Sequence, residues 1–314
     1  MSVRRITHQG CAALREGAAL VEHPGAAVLR LSGRDPAGLL EAILTNTLPK
    51  EESRGVYALL LNPKGRIQAD LRVVRQPGEV LVVTGPESAE AVRAILGRYA
   101  PFSRVSVEET DLGVLGLYGP RAAELAGLEG RPPEHLSVRL DGLLAVGVEL
   151  PVPGVDLIGE PAALRSARES LAAAGAVAAT GEEYETARIA AGVPRFGKDF
   201  TPENFPAEAG LLERAVSFEK GCYPGQETVA RMYYRGHPNK TLHRFVLEPG
   251  ASPPPGSEIL QNGRRAGVLT SIAPLPSGDG AVFALGYLRR GTDPEGPLSA
   301  GGVSLKVAQG RTGR

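Results

Sequence analysis

The chain has 314 residues, 42% of them hydrophobic, enough to bury one large core or two, and its length favours more than one folding unit. Lys and Arg total 35 and so do Asp and Glu, so no whole-molecule field draws the chain to nucleic acid or membrane; a local basic patch remains compatible with that balance. Two cysteines, Cys11 and Cys222, are too few for a disulfide framework or a four-cysteine iron–sulfur site within one chain, and they point to a reducing compartment.

The first eight residues lack a long apolar stretch, and no run approaches the ~18 apolar residues that span a bilayer, so the expectation is a cytoplasmic protein with no membrane partner. Strand-like and helix-like segments then alternate. Val28 to Leu31 reads as a strand, Pro36 to Leu44 as a helix and Tyr57 to Leu61 as a strand. Asp70 to Val74 and Val80 to Thr84 form a hairpin across Gln76-Pro77-Gly78, followed by a helix from Glu87 to Arg98. Val114 to Leu117 and a helix from Arg121 to Leu128 repeat the opening plan, which suggests an internal duplication of ferredoxin-like α/β units. A helix is expected from Pro161 to Ala174. Thr180 and Glu183 match a capping box, so a further helix should run from Gly181 to Ala191 and stop at Gly192. After Thr241 the pattern changes to short strands separated by turn residues: His243 to Leu247, Glu258 to Leu260, Ala266 to Ile272 and Ala281 to Leu288. The fold class expected is therefore α+β. Residues 1–240 form the α/β region, with a subdivision near 112 or 180, and residues 241–314 form a small C-terminal β-barrel or sandwich.

The most concentrated chemistry lies at Lys220-Gly221-Cys222-Tyr223-Pro224-Gly225-Gln226-Glu227, followed by Arg231. Pro224-Gly225 has the order of a type II turn, and Gly221 and Gly225 permit positive φ or a close backbone approach. Lys220 and Arg231 are cations that would favour the thiolate of Cys222. The alternative is a small buried cysteine beside a structural turn.

This segment resembles the K-G-C-[FY]-x-G-Q-E-x-x-x-[RK] signature of the YgfZ family of folate-binding proteins, relatives of the glycine-cleavage T-protein, an aminomethyltransferase. Every fixed position is present, with Arg231 as the terminal base. Weaker likeness extends over Leu31 to Asp35, Leu44-Thr45-Asn46, Pro63 to Ile67, Tyr118-Gly119-Pro120 and Arg188 to Pro194. The resemblance implies a GcvT-like folate-binding fold, tetrahydrofolate or a derivative as cofactor, and a factor that supports iron–sulfur enzymes, including tRNA-modifying ones. It implies an accessory factor rather than a classical transferase. Iron–sulfur client enzymes would be its partners, tRNA would be met only indirectly or through a local basic patch, and the chain would be a monomer. Cys222 would be the reactive group and Lys220 its tuning cation, with Gly221, Tyr223, Gly225, Gln226, Glu227 and Arg231 shaping the loop.

The alternative within the superfamily is a folate-dependent aminomethyltransferase. Against it, Ala69 stands where the T-protein turn carries one of two acidic residues, leaving Asp70. Likewise Ala190 stands where Arg-Leu-Glu places a pterin-gripping carboxylate. Asp70, Arg188 and Glu208 are the remaining candidates for the cofactor. Each has a plainer reading: a solvated hairpin residue, a structural ion pair and a charge at a helix start, respectively. Tyr233, Tyr234 and Arg235 could stack on a pterin or an RNA base, or simply sit on the surface. Gly192 to Asp199 fails as a P-loop because it follows a helix and lacks the terminal Ser or Thr. The five histidines have no zinc-ligand spacing with Cys, so no metal site is expected.

Overall fold

Two sheets are threaded by the same chain path, once each. The computed structural model describes residues 8–277 and 280–308; the reading of residues 1–7 as free of a leader lies outside them. After α1 (Gln9–Glu16) and β1 (Ala19–Glu22) come β2 (Ala27–Gly33), α2 (Pro36–Ile43), β3 (Gly55–Leu61), β4 (Ile67–Gln76), β5 (Glu79–Thr84), α3 (Pro86–Ser103) and β6 (Val105–Glu109). The same order then recurs as β7 (Gly113–Tyr118), α4 (Ala122–Leu125), β8 (Ser137–Leu140), β9 (Leu143–Val148), β10 (Gly154–Gly159), α5 (Pro161–Ala173) and β11 (Val177–Ala178). The first sheet is ordered β3-β4-β5-β2-β6 and the second β8-β9-β10-β7-β1-β11, so the second repeats the first with β1 slipped in beside β7. The expected duplication is thus present at the level of topology.

Local chemistry accounts for the element ends. Pro36, Pro86 and Pro161 occupy the first turns of α2, α3 and α5, where a missing N–H costs nothing. The Asp35 carboxylate caps α2 by accepting the Gly38 N–H. Along β4, Ala69, Leu71 and Val73 turn into the core shared with α2 and α3. Val74 belongs to a second core, in which Val28, Leu81 and Val83 of the first sheet meet Val114, Leu144, Val146 and Ile158 of the other. The period-2 alternation of a strand therefore places Asp70, Arg72 and Val74 on the face turned to the second sheet. Helices α4 and α5 cover the far side of that sheet.

The remainder comprises α6 (Gly181–Ala190), α7 (Leu212–Ala215), α8 (Gln226–Arg235) and six strands: β12 (Lys240–Leu247), β13 (Glu258–Gln261), β14 (Arg264–Ile272), β15 (Val282–Arg289), β16 (Leu298–Ala300) and β17 (Val303–Val307). These strands close into a barrel in the order β12-β15-β14-β13-β16-β17. The capping box on α6 forms as expected, Thr180 accepting the Glu183 N–H and Glu183 accepting the Thr180 N–H. Ile189 of α6 is buried in the barrel core and docks the two together.

Three expectations shift. Helix α3 runs on to Ser103, α4 is a single turn rather than Arg121 to Leu128, and α8 replaces a loop. No helix among the described residues is long and apolar enough to cross a membrane.

Candidate functional site

The Cys222 loop is assembled from three stretches of sequence that the fold brings together. The first is the β3–β4 turn. Asn62 shapes it, its side-chain oxygen accepting the N–H groups of Lys64 and Arg66, while Gly65 takes φ +79°. The second is Thr45-Asn46 after α2. The Thr45 hydroxyl donates to the Ala215 carbonyl and accepts the Leu59 N–H, and the Asn46 amide donates to the carbonyls of Tyr57 and Arg214. Those bonds pin α7 to β3, and α7 leads into the loop.

The third stretch is the loop itself. Tyr223 and Val229 are buried in a cluster with Leu59, Leu61, Ile67, Phe196 and Phe200. Gln226 N–H bonds to the Tyr223 carbonyl, and Gly225 adopts φ 82°, ψ −1°, which are the values of a type II turn. A Cβ on Gly225 would meet the Asn62 carbonyl oxygen at 2.5 Å, so this glycine is required both by conformation and by close approach. Gly221 is required by neither. Its φ is not in the left-handed region, and an added Cβ would have nothing within 4 Å.

Cys222 is exposed, which excludes the buried-cysteine alternative. Lys220 sits two residues away with its side chain only 1% exposed. Its ammonium donates to the carbonyls of Glu41 and Leu44, both at 2.6 Å, at the end of α2. That helix has no basic residue in its own last turn, so Lys220 supplies from far along the chain the cation its terminal carbonyls lack. Burial lowers the Lys220 pKa, and Glu41 opposes the shift. Among the described residues no hydrogen bond or ion pair joins Lys220 or Arg231 to Cys222, so the tuning expected of them is not expressed as a contact. Arg231 is exposed on α8, as is Glu227, while Gln226 is half-buried beside it at the helix start. The Tyr223 hydroxyl is buried with no hydrogen-bond partner among the described residues, and burial pushes its pKa up to about 12. Tyr233 and Tyr234 are exposed and form a surface cluster with Phe218, Tyr233 stacking on it and Tyr234 meeting both rings edge-on.

The cofactor candidates do not converge. Asp70 accepts hydrogen bonds from Tyr57 Oη at 2.9 Å and Ser88 Oγ at 2.8 Å; burial raises its pKa and those two bonds partly offset the rise. It is therefore a bonded carboxyl between the sheets, not a solvated hairpin residue. Arg188 is buried, bound to Glu185, Asp199 and Ser271 Oγ, and so forms the structural ion pair that ties α6 to β14. Its Nε alone lacks a partner. Glu208 is buried too and accepts the Phe205 N–H at 3.1 Å, bracing a turn rather than a helix start. Ala69 lies in the helix-facing core, on the face of β4 opposite Asp70, so a carboxylate there would be buried among apolar side chains.

A polar network between the sheets went unread in the sequence. Arg72 pairs with Asp156 at 2.6 Å; Tyr118 donates to the same carboxylate, and the Tyr118 hydroxyl lies 2.7 Å from His23 Nε2. Tyr184 stacks on Tyr118 at 5.5 Å. Burial raises the Asp156 pKa, but Arg72, His23 and the Tyr118 hydrogen bond outweigh it and hold the carboxyl below its ordinary range. Burial lowers the His23 pKa, and the charge of Asp156 opposes that shift. Two sequence signals pointed here: a lone carboxylate in the otherwise apolar β10, and the Asp70-x-Arg72 spacing that puts opposite charges on one strand face. Among the described residues no group of three or more His, Cys, Asp or Glu is placed to hold a metal ion.

Comparison with known proteins agrees with this architecture. The GCVT N-terminal domain model matches residues 2–128. A tRNA-modifying protein YgfZ of Sodalis glossinidius is 28% identical over 89% of this chain and 89% of its own length. An aminomethyltransferase of Moorella thermoacetica is 29% identical over 94% of this chain and 82% of its length. An iron–sulfur cluster assembly factor IBA57 homolog, mitochondrial, of Mycosarcoma maydis is 28% identical over 76% of this chain. This chain spans 59% of that protein's length and 63% of a chloroplastic relative's from Arabidopsis thaliana. The crystal structure of the glycine cleavage system aminomethyltransferase T from Bartonella henselae superposes with a TM-score of 0.86, covering 96% of this chain and 87% of that one at 22% identity. The fold is that of the aminomethyltransferase, and the chain is similar over most of its length to YgfZ and aminomethyltransferase relatives.

Proposed function

We propose that the protein is a tetrahydrofolate-binding factor of the YgfZ type that supports maintenance of iron–sulfur enzymes, including tRNA-modifying ones, with Cys222 as its reactive group. The observation that carries this reading is the exposed thiol on a braced loop. Gly225 locks the loop to the β3–β4 turn, Tyr223 anchors it in a core, and Lys220 ties it to α2. A free thiol held at the surface by so many constraints suits chemistry on a partner protein better than chemistry in a closed cavity.

The folate part rests on the fold and on Asp70. A reduced pterin presents N–H donors along one edge, and in a site withdrawn from water those need acceptors. Each Asp70 oxygen receives one protein hydrogen bond and has a lone pair to spare, so the carboxylate fits that edge. Bound folate would bring one-carbon and redox chemistry; Asp70 would orient it, while Arg188 and Glu208 stiffen the surroundings. Ala190 lacks the carboxylate that the T-protein pattern carries there, which weighs against aminomethyl transfer as the activity.

Titration calorimetry with tetrahydrofolate, paired with a glycine-cleavage assay using lipoyl carrier, tests the reading. Heat on wild-type titration, weakened about tenfold in Asp70→Asn, and no aminomethyl transfer are expected. No heat and no thermal shift would remove the cofactor, and turnover with the carrier would make the protein an aminomethyltransferase.

A further inference from the structure

At the far end of α8 the chain enters a cavity of about 400 Å³, between the residues after the helix and the β12–β15 edge of the barrel. His237, Lys240, His243, Arg289 and Arg290 line it, and no carboxylate does. Leu288, Pro238 and Pro294 give it an apolar floor. In a chain whose formal charge is zero this is a marked local imbalance.

The geometry holds these cations together at a cost. Lys240 and Arg289 are direct partners in the antiparallel register of β12 and β15, and like charges directly opposite each other are destabilising. Neither has an acidic partner among the described residues, nor do Arg290 and His237. Other basic residues of the chain do find partners, as Arg265 does with Glu258 in the same barrel. The backbone fixes the arrangement: the Arg290 N–H bonds to the Asn239 carbonyl, and the Thr292 N–H bonds to the Arg289 carbonyl around Gly291, whose φ is +86°. Lys240 Nζ lies 4.6 Å from the centre of the Tyr287 ring, which positions it without neutralising it. The Thr241 hydroxyl and His243 Nε2, 2.8 Å apart, add neutral hydrogen-bonding groups to the wall. Asp293 and Glu295 follow on the next loop, but Asp293 is engaged there by the Glu295 N–H.

We infer that this cavity binds a phosphate ester, the phosphate held by Arg289, Arg290 and Lys240 and the ester's organic part resting on Leu288, Pro238 and Pro294. A tetrahedral dianion matches two guanidinium forks and an ammonium, and it removes the cross-strand repulsion. The phosphate can come from a free nucleotide or from the backbone of a single strand.

The test titrates the full-length protein with inorganic phosphate, uridine 5′-monophosphate and a 5′-phosphorylated oligouridylate, at low and moderate salt. Wild type should bind the nucleotide more tightly than inorganic phosphate. Arg289→Gln and Arg290→Gln should each weaken binding about tenfold, while Arg264→Gln on the same barrel should leave it unchanged. Thermal melts of all variants report folding, and either arginine variant suffices if the other does not fold. Oligouridylate binding that falls steeply with salt identifies a strand as the source, and equal affinity for mononucleotide and strand identifies a free ester. No binding of any probe by wild type, or binding unaffected in both arginine variants, overturns the inference.

Discussion

Gly225 lies against Gly65: a Cβ built on Gly225 would stand 2.7 Å from the Gly65 Cα, and one built on Gly65 would stand 2.9 Å from the Thr228 Cβ. Two turns far apart in sequence cross here with no room for a side chain on either. Gly225→Ala should therefore cost more than about 2 kcal/mol, combining a left-handed φ with a backbone clash. Gly221→Ala, in open space, should stay within about 0.5 kcal/mol of wild type. Urea unfolding of the pair checks both, and equal costs would mean that the crossing is not what fixes the loop.

Lys220→Met should destabilise the protein by about 2 kcal/mol, because it leaves two carbonyls of α2 without their charged donor. Urea unfolding of the variant measures the cost, and an unchanged midpoint would show that the end of α2 does not depend on this donor.

The capping box on α6 and the Pro224-Gly225 turn were legible because each is set by residues close in sequence; the duplicated α/β path and the barrel were legible through the local signals of their strands and turns, although distant strands such as β12 and β17 close the barrel. Helix α8 was not, because the glycine-bearing motif before it drew a loop over Gln226, Glu227 and Arg231, although its residues have amphipathic spacing; only Val229 of its ten residues is buried. The partners of Lys220 lie 176 and 179 residues away, and Arg72 and Asp156 are 84 apart; spacing along the chain says nothing about such pairs. Gly221 and Gly225 look alike as letters, yet only the neighbour across the turn distinguishes the obligatory glycine from the permitted one. Arg188 and Glu208 each allowed a ligand-binding and a structural reading in the sequence, and only the fold shows the internal bonds that both make.

Asp156→Ala should cost about 3–5 kcal/mol, because it strands the Arg72 guanidinium between the sheets. Tyr118→Phe, which keeps the ion pair, should cost about 1 kcal/mol. Chemical denaturation of the two variants measures the difference, and similar costs would show that the ion pair is not the centre of the network.

Glu185 joins Arg188 and Lys198. Burial raises its pKa, but hydrogen bonds and charge from those two residues outweigh it and bring it from 4.5 to about 2. A carboxyl depressed in the folded state contributes stability that is full above its unfolded pKa and is lost as pH falls through the folded one. Stability should accordingly decline between about pH 4.5 and pH 2, and Glu185→Gln should flatten that decline. A pH series of thermal melts would contradict this if wild type and variant lost stability in parallel.

The account turns on the thiol of Cys222. Serine at that exposed position preserves shape but is not ionised near neutral pH, so Cys222→Ser should fold and melt as wild type does. The decisive measurement is complementation of a strain lacking its own factor of this type, scored by the product of an iron–sulfur tRNA-modifying enzyme. Wild type should restore the modification and Cys222→Ser, at equal protein level, should not; full restoration by the serine variant would contradict the assignment of Cys222 as the reactive group.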